Sequence, residues 1–382
     1  MALIPSQRHL FDIPREIAYF NCAYYSPQLN ESRDRLIAGV RAKSQAWTRV
    51  PPGFFDDAEA IRAQAARLFG GEADAYAIIP AASYGLSTAA RVVEPQIESG
   101  HHILVIEEEF PSNVLPWRRV AAERGASMRT VPRPEDGDWA KAILSRIDAS
   151  VKVVAVSTCH WTNGARIDLI PIGEACRQNG SLLVVDATQS LGAMPFDLPG
   201  VRPDFLVAAT YKWLLGPYGS ALMYVSQAWR GARPLEESWL ARDNATDFTS
   251  LARYSDTYRA GARRFDVGES GVLTLLPGLA AALEQIETWG ITHIASTLAA
   301  TNQRIAAHLE KLGFILPPET ERCPHMFGAR LPASFRGNLV AELKKQDIYI
   351  SQRESSLRFA PHLWVDDHDV TRLLRALDEL VG

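Results

Sequence analysis

An α/β sandwich with a mainly parallel sheet is predicted, on three observations. From residue 75 onward short apolar runs alternate with helical patterns, runs such as "VKVVAV" and "LLVV" are apolar on both faces, and no internal repeat or low-complexity tract breaks the alternation. A strand apolar on both faces belongs in a sheet covered on both sides, and intervening helices supply that cover. The 382 residues, 47% hydrophobic and 22% charged, suffice for a substantial core, with two domains the natural expectation at this length.

In chain order, Met1 to Ala18 is expected to be an extended arm. "AYAIIP" reads as a strand running straight into the helical "SYGLSTAARVVEPQIES", then "HHILVIE" as a strand and "NVLPWRRVAAERG" as a helix. "ASMRTVP", the helical "DWAKAILSRID", "VKVVAVST", the helical "IPIGEACRQNG" and "SLLVVDAT" continue the alternation. "DFLVAATYKWLLGPYGSALMYV" reads as two apolar strands around a tight Gly-Pro-Tyr-Gly turn. Beyond about Gly271 the chain becomes long and helical, with Gly313 as a C-cap, and it ends in the helical "DDHDVTRLLRALDELV". The expected division is an arm over 1–18, a large domain over 19–270 and a smaller α+β domain over 271–382.

Composition narrows the function. A net charge of -4 leaves no basic surplus to neutralise phosphates, which argues against a general nucleic-acid binder. Cys22, Cys159, Cys176 and Cys323 lie far apart without a C-x-x-C pair, and the nine histidines form no ligand spacing, so no metal is implied. The N-terminus carries no secretory pattern and no window approaches the roughly eighteen apolar residues of a membrane span. A soluble cytoplasmic protein is the expectation.

Ligands of open parallel sheets sit at the carboxyl ends of the strands. There "SLLVVDATQ" delivers Asp186, with Gln189 one turn on; "DFLVAAT" delivers Thr210 and then Lys212; "YAIIPAAS" delivers Ser83. Each has an ordinary reading: Asp186 as a cap or turn residue, Lys212 as a loop amine, Ser83 as an N-cap. Yet a lysine flanked by Tyr211, Trp213, Leu214 and Leu215 is poorly suited to open solvent, and burial would leave it a neutral, nucleophilic amine. A strand-to-helix junction presents free N–H groups to an anion. The sequence contains neither G-x-G-x-x-G nor the P-loop pattern. Pyridoxal phosphate asks for these parts together: a lysine to bond it, an acid to keep its ring nitrogen protonated, and a phosphate cradle.

The stretches "VVDATQSLGAMPFDL" and "PDFLVAATYKWLLGPYGSALMY", within a likeness from "YFNCAYYSP" to "SSLRFAPHLW", resemble the class V aminotransferase family of fold-type I pyridoxal phosphate enzymes. That family includes cysteine desulfurases, isopenicillin N epimerase and kynureninase. The resemblance implies a mainly parallel seven-stranded sheet between helices, a smaller C-terminal domain, and a homodimer with its active sites near the subunit interface. It implies Lys212 as the Schiff-base lysine, Asp186 as partner of the ring nitrogen and Gln189 as donor to the phenolic oxygen. Ser83 and Thr210 match phosphate-binding positions. Phe110 stands where the desulfurases stack a histidine, so it can stack but cannot move protons. Arg358 matches the arginine that grips the substrate α-carboxylate, and His160 and Trp161 are candidates for the substrate pocket. Two departures stand out. "IYISQRESSLRFAPH" has no cysteine where desulfurases form a persulfide, and Glu269 falls where relatives have a threonine reaching the neighbouring subunit's phosphate, with Ser270 a substitute. The implied activity is an aminotransferase acting on an α-amino acid or related amine. A β-eliminating C–S lyase or an epimerase would use the same residues, and a non-catalytic cofactor-binding protein is a further class.

Overall fold

The computed structural model describes residues 3–48 and 51–382; Met1 and Ala2, the start of the expected arm, lie outside them. One sheet holds seven strands: β1 (Tyr76–Ile79), β2 (His102–Ile106), β3 (Ser127–Val131), β4 (Val151–Ser157), β5 (Leu182–Asp186), β6 (Phe205–Ala209) and β7 (Ala221–Val225). Their spatial order is β1-β7-β6-β5-β4-β2-β3. β7 runs antiparallel to both neighbours, and every other neighbouring pair is parallel. The connection lengths explain this. β6 and β7 are joined by a turn, which returns the chain antiparallel, whereas the parallel pairs need crossovers.

The pleat splits the core in two. Leu183 and Val185 of β5 pack into one apolar cluster and Val184 into the other; Leu104 and Val105 of β2 part in the same way. Helices Ala82–Val93 and Leu115–Arg124 cover one face, and Trp139–Leu144 and Leu169–Asn179 the other. Runs apolar at every position are therefore what this sheet needs, as the sequence suggests.

The helical stretch after Gly271 is two helices, Leu276–Trp289 and Ile291–Lys311, parted at Gly290, whose φ of 75° favours glycine. The first packs on helices Asn30–Lys43 and Asp56–Phe69. At that crossing a side chain on Gly278 would fall 2.5 Å from Leu36. Further on, β8 (Phe327–Ala329), β9 (Ser351–Arg353) and β10 (Ser356–Phe359) form an antiparallel sheet in the order β9-β10-β8. The final helix, Asp367–Val381, starts from an Asp366–Asp369 capping box.

The N-terminal arm lies along this C-terminal region. Ala18–Tyr19 pairs in parallel with Ile348–Tyr349, Asn21 bridges to Ala360, and Arg8 meets Asp369 at 2.7 Å. No helix among the described residues is long and apolar enough to cross a membrane.

Candidate active site

The carboxyl ends of β1, β2, β4, β5 and β6 converge on a cavity of about 250 Å³. β2 and β4 are neighbours although β3 lies between them in the chain, so the crevice includes the point where the strand order reverses. Asp186 is level with Ser157, so β5 and β4 end together, and with Val207 of β6, which runs on to Ala209.

Lys212 follows β6 on a tightly folded loop. Gly216 N–H donates to the Thr210 carbonyl at 2.9 Å, Leu215 N–H to the Lys212 carbonyl at 3.1 Å, and Leu215 takes the left-handed φ of 53° that closes the turn. The Cys22 thiol donates to the same Lys212 carbonyl from the N-terminal segment. So held, the side chain is 7% exposed and lines the cavity. Its Nζ stands 5.7 Å from the centre of the Phe110 ring and 5.6 Å from that of Tyr211. No hydrogen bond or ion pair to Nζ occurs among the described residues. Burial, then the Arg358 charge, pushes the amine down to about 8, against the opposing pull of Asp186.

Asp186 is buried at the end of β5, and burial raises its carboxyl above the usual range. One oxygen accepts the Thr188 N–H at 2.9 Å, as a turn aspartate would, and the Thr188 hydroxyl also bears on the carboxylate. Gln189 also lines the cavity; its amide donates to the Ala23 carbonyl at 3.1 Å and accepts from the Trp213 indole at 3.0 Å, leaving one N–H to spare. The sequence reading missed Glu109. Its buried carboxylate accepts Phe110 N–H at 2.7 Å and Ser157 N–H at 3.0 Å, which ties the β2 loop to the end of β4. Burial, then the charge of Asp186, pushes it up to about 7.

Ser83 lies in the first turn of helix Ala82–Val93 and lines the cavity; the N-cap is Ala81. The first-turn N–H groups, which lack intrahelical partners, open there. Phe110 also lines it, edge-on to Trp161 at 5.4 Å. Thr210, expected at the phosphate, is fully buried off the cavity: its hydroxyl bonds within the turn, to the Pro217 and Ser220 carbonyls at 3.0 and 2.8 Å. Tyr211 and Ser220 line the cavity in its place. His160 and Trp161 part company. Trp161 lines the cavity, whereas His160 stacks on Trp139 at 5.3 Å and bonds the Glu107 carbonyl, and its burial holds it neutral with a pKa of about 4.

Arg358 on β10 is fully buried. Its Nη1 donates to the Trp161 carbonyl at 2.7 Å and its Nε to Ser351 Oγ at 3.2 Å, while Nη2 has no partner. Ser270 is buried and Glu269 lines a separate hollow beside Glu236; neither borders the cavity. All four cysteines are buried free thiols.

Pyridoxal phosphate fits this donor set. Lys212 offers an unpaired amine, Asp186 a buried carboxylate bordering the cavity, the Ala81–Ser83 turn an anion cradle, and Phe110 a flat face. Residues 51–372 match the family model described as Aminotransferase class-V.

The chain belongs to the class V aminotransferase family.

Among class V relatives, an uncharacterized aminotransferase of Bacillus subtilis, YcbU, is 27% identical over 85% of this chain and 83% of its own length. A probable cysteine desulfurase of Pyrococcus abyssi is 26% identical over 66% of this chain and 62% of its own. Two solved structures share the fold. The apo cysteine desulfurase of Thermococcus onnurineus NA1 superposes with a TM-score of 0.83 at 19% identity, covering 100% of this chain and 99% of that one. The cystine C–S lyase C-DES, in complex with its product cysteine persulfide, gives 0.84 at 20% identity over 96% and 99%.

Proposed function

We propose that this chain is a pyridoxal phosphate-dependent aminotransferase acting on α-amino acids or related amines. The observation that carries the reading is the unpaired, buried Lys212 amine facing a cavity that also holds Asp186, with Arg358 behind it. When bound, the cofactor supplies an electron sink that lets a proton leave the substrate's α-carbon.

The chain's own residues do the rest. Lys212 holds the cofactor, and a pKa near 8 leaves a useful share of its amine neutral near pH 7, able to take and return the α-proton. The Asp186 carboxylate would accept the N–H of the cofactor's ring nitrogen and keep the proton there. Its charge is favoured by that partner and otherwise costly in so buried a place. Phe110 would offer its face to the ring, and the first turn of helix Ala82–Val93 would hold the phosphate. Gln189 has one N–H for the phenolic oxygen. Arg358, just beyond the cavity lining, has an Nη2 without a partner among the described residues that would serve the substrate carboxylate, and its charge discourages Lys212 from protonating.

With all four cysteines buried and the Cys22 and Cys159 thiols held well above the usual range, no exposed thiolate is available to carry a persulfide, which weighs against a desulfurase. A C–S lyase needs no such thiol, and the likeness to C-DES supports it as the second reading. We also propose a homodimer. Tyr24 and Tyr218 are 58% and 64% exposed beside the cavity, and Tyr218 stacks on Tyr25 at 5.8 Å, an aromatic surface suited to a second copy. Ser270 and the cofactor phosphate of the second copy would meet at that interface.

The deciding experiment is the visible spectrum of the purified protein, alone and with a panel of amino acids. A cofactor band in the wild type that is lost in Lys212→Ala, and conversion of bound cofactor to its amine form, are expected. Keto acid released with ammonia and without an amine acceptor would identify the lyase. An unaltered band in Lys212→Ala would refute the assignment.

A further inference from the structure

The hairpin that carries Arg358 carries a second guanidinium, that of Arg353, which lines a hollow next to the cofactor cavity. Ser351 lies opposite Arg358, and Arg353 opposite Ser356. Opposed residues of an antiparallel pair share a face, as do residues two apart on a strand, so Ser351, Arg353, Ser356 and Arg358 all stand on one side. The Arg358–Ser351 hydrogen bond at 3.2 Å confirms that geometry.

Trp161 lies between the two arginines. Its carbonyl holds Arg358 at 2.7 Å, and its ring lies 6.0 Å from the Arg353 guanidinium and borders the cofactor cavity. The Tyr24 ring, 5.9 Å from the same guanidinium, flanks Arg353 as well. Arg353 is half-buried, donates one hydrogen bond to the neighbouring Gln352 carbonyl at 2.7 Å, and has no ion pair among the described residues. The nearby acid Glu108 is engaged with Arg133 at 2.6 Å. The Arg353 charge is felt by both Lys212 and Arg358, lowering each. Lys212 borders the cofactor cavity, whereas Arg358 and Arg353 lie beyond its lining on the Trp161 side, Arg353 in the neighbouring hollow with Glu108 and Arg133. One substrate carboxylate satisfies Arg358 and leaves Arg353 uncompensated.

Resting on the cofactor-site reading above, we propose that Arg353 reads a second anionic group, so that the substrates are amino acids with an acidic side chain. The α-carboxylate goes to Arg358 and the side-chain acid, a carboxylate or a sulfonate of similar reach, goes to Arg353. The Trp161 and Tyr24 rings lie 6.0 and 5.9 Å from the guanidinium, and its N–H groups beyond the one given to Gln352 are left for the acid.

Glutarate and butyrate, which carry two acids and one on chains of similar length, test this by calorimetric titration of the cofactor-loaded protein. The wild type is expected to bind glutarate about 10- to 100-fold more tightly, the span of a charged hydrogen-bonded contact. Arg353→Gln should bring the ratio toward unity while the cofactor band persists, and Arg353→Lys should restore part of it. Equal wild-type affinity for the two acids, or a loss in Arg353→Gln that is the same for both, would overturn the proposal by making Arg353 a general charge only. A wild type without any cofactor band would overturn the site reading itself, and this proposal with it.

Discussion

At the scale of single residues, Lys212 shows what its placement costs the fold. Its folded pKa of about 8 lies below the ordinary 10.5, so between those values the unfolded chain holds more protons than the folded one. The penalty is present in full below about pH 8 and disappears as pH climbs toward 10.5. In the cofactor-free protein, Lys212→Met is expected to raise stability by about 2–4 kcal/mol at neutral pH. Denaturant titrations from pH 7 to pH 10.5 should show that gain shrinking. Lys212 and Asp186 were legible in the sequence because each ends an apolar strand, where a charged side chain has no structural reason to be. Glu109 was not legible. "EEE" reads as a solvated run, and only the left-handed turn at Glu108, with φ of 53°, decides that Glu107 and Glu108 stay exposed while Glu109 turns inward. Thr210 misled for the opposite reason: its position matched a phosphate contact, but the Gly-Pro-Tyr-Gly turn offers its hydroxyl two closer carbonyls.

Among the elements, helix Ala82–Val93 matters most for the site, because its first turn is the anion cradle. It can lie close to the sheet because Gly85 has no side chain: a Cβ there would fall 2.5 Å from Ile79 of β1 and 2.9 Å from Val207 of β6. Gly85→Ala should push the helix outward, destabilising the protein by about 1–3 kcal/mol through overpacking. It should also weaken pyridoxal phosphate binding, measured by equilibrium dialysis. A loss of stability with no loss of affinity would mean that the helix start does not hold the phosphate. The strands of the large sheet were readable from their two-sided apolar runs. The division of the long C-terminal helical stretch at Gly290 was not legible, because a single glycine inside a helical pattern does not by itself announce a positive φ. Strands as short as Ala18–Tyr19 carry too few residues for any periodicity, and they exist because a distant partner pairs with them.

For the molecule as a whole, one buried ion pair fastens regions far apart in sequence. Arg62, on helix Asp56–Phe69, meets Asp266, whose other contact is the Ile78 N–H of β1 at 2.8 Å. Both side chains are almost wholly enclosed. Arg62→Ala would strand a buried carboxylate and is expected to cost about 3–5 kcal/mol in urea unfolding, whereas Arg62→Met combined with Asp266→Leu should recover much of that loss. If the double variant were as unstable as the single one, the pair would be supplying more than mutual neutralisation. None of this pairing could be read from sequence, because neither residue has a local reason to be buried; only the closed fold brings them together.

The pairing of Ala18 with Ile348 also sets an order of events during translation. Ala18–Tyr19 has no strand partner until Ile348–Tyr349 has been made. Until then Cys22 and Ala23 have no fixed place from which to clasp Lys212 and Gln189, and Arg358 has not been made. Lysine and aspartate can be in their strands while the chamber around them is still open. The cofactor, on this view, is captured by a chain that already extends past Arg358.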